Sequence, residues 1–444
     1  MNSILSLSGM IISVVVLSYI AYRGANIIVV APFAAFFTIV FSGMPILDTY
    51  TKTYMSGMVN FINSYWLIFL TGAMLARVLT DSGAAGRIGN AIAGLAEKIP
   101  GNTRFLGVVA SQAVNFILIY GGVQAFIVAF TLIPIVKSLY QRLNIPWRLY
   151  PCVALSGGVI TAILMPGSTS ALNIIAADKL GTSLIVAPGL SFCMIIVTLA
   201  LGWTWLYFTI KKIDCTSEGF LETGQAYLND PPFGNAKDYK SMSLIEALGP
   251  SVLMIILVNF TELGIIPGTV ISTLAATIMH ISKKRIPDLS DCFGGAATAA
   301  GNIIIVTASV YGFSTVLTSS SGYDYALSAL KSLPGPSIIQ MLIAINICTA
   351  VSGSGYGGFG IALDNLKDYF ISQGIPAEII HRVGGVTACA FDTLPHNPAV
   401  IQSLVLTRIG HKRGYWPYFV NTVAVPFLVS VIFAFLYTLG LFQY

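Results

Sequence analysis

Apolar positions along this chain come in long unbroken runs, and the polar positions collect in the short stretches between them. Runs such as Leu5 to Tyr22, Ile27 to Phe41, Tyr65 to Leu79, Leu184 to Ile210, Leu244 to Phe260 and Trp416 to Leu439 are each long enough to cross most or all of about 30 Å of hydrocarbon as a helix. No stretch outside them is apolar enough to bury a soluble core. The pattern predicts an all-α polytopic membrane protein.

The runs also repeat. Residues 1–210 and 243–444 carry the same order of parts, with 211–242 as a polar linker. Two spans open each half (about 5–21 and 26–42, then 244–260 and 265–281), followed by a third (62–80, then 296–317). Val78-Leu79-Thr80 closes the third span in one half and Val316-Leu317-Thr318 in the other. An amphipathic connector then ends at Pro100-Gly101 or Pro334-Gly335. A long apolar stretch follows, interrupted by Tyr120-Gly121-Gly122 or Tyr356-Gly357-Gly358. After Ile145-Pro146 or Ile375-Pro376 comes a polar break at Met165-Pro166-Gly167-Ser168 or Leu394-Pro395-His396-Asn397, and then a last span. Broken helices in matched positions of two halves are the sequence mark of a secondary transporter.

Charge sets the expected topology. If each glycine motif is the tip of a re-entrant hairpin, each half has five crossings and both termini lie outside. The cytoplasmic side then holds 18 of the 23 basic residues, including Arg87, Arg148, the run Lys283-Lys284-Arg285, and Arg408; only Lys52, Lys179, Lys331, Lys367 and Arg382 fall outside. That asymmetry follows the positive-inside rule. An odd number of crossings makes the two repeats inverted, with scaffold and transport units each built from both, in a bacterial-type inner membrane.

Composition supports the same class, with 55% hydrophobic and 9% charged residues and a mean hydropathy of +0.81. The net charge of +5 is mostly the topology signal and needs no acidic partner. Nothing basic precedes Leu5, and the second half has an equivalent span, so the first run is kept as part of the fold and not read as a leader. The six cysteines form no CxxC pair, which suggests neither a disulfide framework nor a zinc site. No Walker motif, HExxH pair or GxSxG elbow is legible. No enzyme activity, metal or cofactor is expected, and ATP-driven transport is disfavoured.

Non-helical backbone at membrane depth is tolerated only where protein buries it or where it lines a watery cavity. Four such places are predicted: the two hairpin tips, at Gly121-Gly122 and across Ser352-Gly353-Ser354 to Gly357-Gly358, and the two proline breaks. A half-helix that begins there points free N–H groups and a positive dipole end into the cavity, a ready site for a carboxylate. The competing reading of each glycine cluster is close helix packing. Candidate substrate contacts are Gly121, Gly122, Gly167, Ser168, Thr169, Ser352, Ser354, Gly357, Thr393 and Asn397. Asp392 alone among the 18 acidic residues lies deep within an apolar segment. A carboxylate there costs on the order of 3 kcal/mol and is a functional hypothesis by default, here as a proton carrier; the plainer alternative is a helix cap. His396 is the second candidate for the coupling proton, against a structural hydrogen bond at the break. His280, His381 and His411 fall near segment ends and are expected at the interface. Asn115, in the first hairpin arm, is either a ligand contact or a satisfied buried amide.

These residues carry a family resemblance. Met165-Pro166-Gly167-Ser168 with Asn173-Ile174-Ile175 and Gly181-Thr182, and the run from Ser352-Gly353-Ser354 through Gly357-Gly358, Gly360-Ile361-Ala362-Leu363, His381-Arg382 and Asp392-Thr393-Leu394-Pro395-His396-Asn397, resemble the gluconate permease (GntP) family of organic-acid:proton symporters. The resemblance implies a homodimer, an elevator-like motion of a hairpin-bearing unit against a scaffold, and a substrate among small hydroxy-monocarboxylates such as gluconate, glycerate or 3-hydroxybutyrate. A sodium-coupled symporter of the same fold is the nearest alternative. A channel or ion antiporter is the next, although no ring of like charge marks a sieve.

Overall fold

The computed structural model describes all residues except 1–2, 121–124, 156, 169, 230–241, 262, 287, 331–333 and 443–444, and the described residues are helical with no strand among them. Asn26, Ser170, Ser243, Asp288, Ser354 and Asn397 each cap a helix N-terminus through the side chain. The first half runs α1 (Ser3–Tyr22), α2 (Ile27–Ser42), α3 (Ile46–Asp81, π-helical over Thr49–Tyr54), α4 (Ala84–Ala96), α5 (Thr103–Tyr120) and α6 (Ala125–Arg142). It continues with α7 (Tyr150–Leu155), α8 (Gly157–Leu164), α9 (Ala171–Leu180) and α10 (Pro188–Thr216). After α11 (Leu221–Asn229), the second half runs α12 (Leu244–Phe260), α13 (Ile265–Ser282), α14 (Leu289–Thr318) and α15 (Ser321–Leu330). It ends with α16 (Ser337–Ser352), α17 (Gly355–Ser372), α18 (Ala377–Ala388), α19 (Pro398–Thr407) and α20 (His411–Thr438).

Seven of these helices are long and apolar enough to cross a membrane, and α2, α12, α16 and α19 are shorter apolar helices. Their outward sides carry Ile245, Ile278, Val29 and Ile196, each at least 65% exposed, which suits hydrocarbon and not water. The chain is an all-α multi-pass membrane protein. The described part of the linker up to Asn229 is largely helical. α10 runs to Thr216, six residues past the expected end of the first half, and α11 packs its buried Tyr227 on Trp147. Arg148 holds Glu218 through a 2.6 Å contact, fastening this stretch to the turn before α7.

The two halves are interleaved. α3 and α14 pack along their length at the centre; α1 lies on α15, while α12 lies on α4. α2 packs on α14 and α13 on α3, and α9 meets α17. Matched elements line matched grooves. Leu248, Val252 and Ile255 of α12 stand 241 residues beyond Leu7, Ile11 and Val14 of α1. Ala326 and Ala329 of α15 stand 238 beyond Ile88 and Ala91 of α4, and Ile347, Ala350 and Val351 of α16 stand 233 beyond Val114, Ile117 and Leu118 of α5.

That last separation corrects the glycine register. It sets Tyr120, the last residue of α5, opposite Gly353, whereas Tyr356 lies beyond the tip in the first turn of α17. The second tip is Gly353-Ser354, and Tyr120 and Tyr356 do not occupy matched positions. Gly353 takes the left-handed conformation (φ 59°) that closes α16. Gly358 is a packing residue, because a Cβ there would strike the backbone of Thr349 on α16.

Candidate functional site

Two helix N-termini meet at one cavity. Beyond Gly353, Ser354 caps α17, its hydroxyl accepting from the Gly357 N–H at 3.2 Å. On the other side α18 stops at Ala388, a 3₁₀ turn follows at Phe391–Thr393, and Asn397 caps α19 by accepting from the N–H groups of Ala399 (2.6 Å) and Val400 (3.2 Å). Pro398 occupies the first helical position, where its missing N–H costs nothing. The cavity has a volume of about 60 Å³ and is completed by Ile160 and Ile163 of α8, Leu172 of α9, Tyr311 of α14 and Thr422 of α20.

Of the residues expected at the site, Ser354, Asp392, Thr393 and Asn397 line this cavity. Asp392 is half-buried and lines the cavity. The Gly355 N–H donates to its carboxyl, and Oδ1 has no hydrogen-bond partner. Gln402, one turn into α19, lines the same space with Nε2 likewise unpaired. An acceptor and a donor without protein partners thus share a cavity whose described lining contains neither Lys nor Arg. Buried polar atoms are normally paired, so two left open in one place mark a position for a bound group.

Asn397 does more than cap. Its Nδ2 donates to the Gly353 carbonyl at 2.7 Å and to the Asp392 carbonyl, so a single amide clasps the hairpin tip to the break. Replacing Asn397 with Ala removes the cap and orphans a buried carbonyl, and about 2 kcal/mol of stability is expected to go with it. A lowered unfolding midpoint in detergent is the result anticipated; an unchanged midpoint would show the clasp to be dispensable.

The other expected residues lie elsewhere. His396 is not at the cavity: its Nε2 donates to the Ala350 carbonyl at 2.9 Å, and Nδ1 stands 3.2 Å from the Ser18 hydroxyl on α1. A carbonyl only accepts, so the proton sits on Nε2. Ser352 spends its hydroxyl on the carbonyls of Thr349 and Ser354 (3.3 and 3.1 Å), and Gly357 is inside α17. Asn115 is fully buried and does not line the cavity. Gly121, Gly122 and Thr169 are outside the described residues.

Gly167 and Ser168 belong to the first break, where Gly167 N–H donates to the Leu184 carbonyl (2.9 Å) and the Asn173 amide to that of Ser168 (2.7 Å). Asn173 Oδ1 in turn accepts from His381 Nε2 (2.6 Å) and Arg382 Nη1 (3.0 Å), and the Thr182 hydroxyl meets His381 Nδ1 at 2.7 Å. Arg382 also donates to the carbonyls of Val186 and Leu184. His280, His381 and Arg382 are at most 2% exposed, and His411 is buried with its Nε2 on the Pro395 carbonyl. Intramolecular partners replace water for His381, Arg382 and His411.

Tyr311 and Gln402 line the cavity without having been anticipated, and Tyr356, part of the expected tip, lines it too. Gln402-Ser403 is a polar pair within a mostly apolar half-helix, a signal open to a sequence reading; Tyr311 sits among the Ser and Thr residues common in a membrane helix and gives none.

Comparison with known proteins adds the following. No protein-family model matches the chain. It is 26% identical over 466 aligned positions, 94% of this chain and 96% of the other, to an uncharacterized transporter, YxjC, of Bacillus subtilis strain 168. A crystal structure of the Alcanivorax borkumensis YdaH transporter, described as having an unusual topology, is similar with a TM-score of 0.37 and 14% identity over 89% of each chain, too low a score to speak for a shared fold.

Proposed function

We propose that this protein is a secondary transporter that carries a small hydroxy-monocarboxylate together with a proton, by an elevator-like movement of the hairpin-bearing unit, in the manner of gluconate permeases. The observation that carries the reading is the unpaired Asp392 Oδ1 sharing its cavity with the unpaired Gln402 Nε2 and two helix N-termini. The breadth of the match to a protein named a transporter supports the general class.

Charge counting supplies the coupling. Each helix N-terminus offers roughly half an elementary positive charge, so the two together balance about one anion. With no basic side chain in the described lining, that one anion is either the Asp392 carboxylate or the substrate carboxylate. Substrate therefore binds when Asp392 carries a proton, and the two leave together. The donor on Gln402 and the hydroxyl of Ser354 suit the hydroxyl groups of the acid. Thr393, whose hydroxyl donates to the Thr422 carbonyl at 3.1 Å, can only accept from them, and Asn397 holds the frame. In this reading the Gly353-Ser354 tip moves to admit the acid to the small cavity it lines. His396, held by Ala350 and Ser18, is assigned a positioning role.

Uptake of labelled gluconate, glycerate and 3-hydroxybutyrate into proteoliposomes tests this, with a pH gradient in one arm and a sodium gradient in the other. Accumulation of one of these acids driven by the pH gradient alone is expected. Sodium-driven accumulation would move the ion site to hairpin carbonyls, and none in either arm would refute the substrate class or symport itself.

A further inference from the structure

The grooves matched across the two halves differ in charge at one end, and that difference selects a ligand. One groove, of about 370 Å³, lies among α4, α5, α6 and α12; the other, of about 440 Å³, lies among α1, α15 and α16. Both are apolar, and each is framed in part by a helix long and apolar enough to cross a membrane, α5 in the first and α1 in the second, with the shorter apolar helices α12 and α16 beside them. In each, an acyl chain is the natural filling.

Around the first groove the cations gather. Arg87, the neighbour of the lining residue Ile88, donates from Nε to the Met242 carbonyl (2.8 Å), two residues before Leu244 begins both α12 and the groove. Lys283 and Arg285 reach Glu246 in the first turn of α12, at 2.9 and 2.6 Å. Glu246 offsets one positive charge, and among the described residues neither Arg87 nor Lys284 forms an ion pair with a carboxylate. At the matched places around the second groove stand Tyr325, for Arg87, and Ser42-Gly43-Met44, for Lys283-Lys284-Arg285.

The two turns share one backbone. Lys284 N–H donates to Ile281 and Arg285 N–H to His280, as Gly43 N–H donates to Val40 and Met44 N–H to Ile39, 241 residues earlier. Lys284 (φ 54°) occupies the left-handed position that glycine fills in the other copy (φ 64°). The positive-inside rule asks for cations on this side of the membrane but not at a position where a side chain is disfavoured. We propose that the groove among α4, α5 and α12 binds an anionic phospholipid, its acyl chain along Leu248 and Val252 and its phosphate facing Arg87 and the Lys283-Lys284-Arg285 turn.

Lipid retention by the purified full-length protein tests the site, by native mass spectrometry from mixed micelles of phosphatidylglycerol and phosphatidylcholine with identical acyl chains. Preferential retention of phosphatidylglycerol is expected. Lys284→Gly, which copies the neutral turn and relieves its backbone, should weaken that retention by about fivefold, the worth of one cation at an anionic surface. Leu248→Trp, which fills the groove, should abolish it, and Leu7→Trp at the matched position should leave it intact. Equal retention of the two lipids, or equal losses from Leu248→Trp and Leu7→Trp, would overturn the proposal. Lys284→Gly keeps the test open should the tryptophan variants fail to fold.

Discussion

Asp392→Asn is expected to abolish accumulation of substrate against its gradient while leaving exchange of internal for external substrate. The asparagine is close in shape and retains an acceptor for the Gly355 N–H, so the break should hold. What disappears is the choice between charged and neutral. With one proton per substrate, an imposed difference of one pH unit is worth about 1.4 kcal/mol and concentrates the acid about tenfold. A side chain that is permanently neutral always admits the carboxylate but carries no proton across with it, and the ratio should settle near one. Radiolabel accumulation and counterflow in the same proteoliposomes separate the two activities. Full pH-driven accumulation by the variant would remove Asp392 from the mechanism, and loss of exchange as well would make it a structural residue.

The sequence exposed those parts of the site that break a local rule. Prolines 166 and 395 interrupt apolar runs, and helices stop and restart around both. Ser354 and Asn397 are residues that cap helices, and they do so. Asp392 stood out because a carboxyl in such a segment has no apolar excuse. What stayed hidden depends on neighbours distant in the chain. Gly358 looked like part of a tip because glycine serves tight packing and tight turns alike; only the approach of Thr349 decides. His396 points to Ala350 and to Ser18, the latter 378 positions away, and no local pattern gives its direction. Arg382 entered the sequence reading as one cation in the expected topology, with no partner named. Its acceptors lie 196 to 209 positions earlier, so the fold buries it among partners that no spacing reveals.

Arg382→Met should cause the largest loss of stability, about 3 kcal/mol. The guanidinium makes three hydrogen bonds at 2.7 to 3.0 Å with the side chain 2% exposed. Bonds from a charged donor contribute roughly 1.5–3 kcal/mol each, but burying the charge costs several kcal/mol that the methionine no longer bears. The surviving partners limit the damage further. Asn173 Oδ1 keeps its donor on His381, and the Leu184 carbonyl keeps the Gly167 N–H. Val186 loses the guanidinium donor that ties its carbonyl to α18. Arg382→Lys is the sharper comparison, because it keeps the charge while a single ammonium cannot span three acceptors held in a fork. If geometry matters, lysine should be at least as damaging as methionine, since it buries a charge that is only partly paired. If charge alone matters, lysine should unfold near the wild-type temperature. Thermal unfolding of both variants in one detergent distinguishes these outcomes, and a methionine variant as stable as wild type would show that the loop after α9 holds the first break without Arg382.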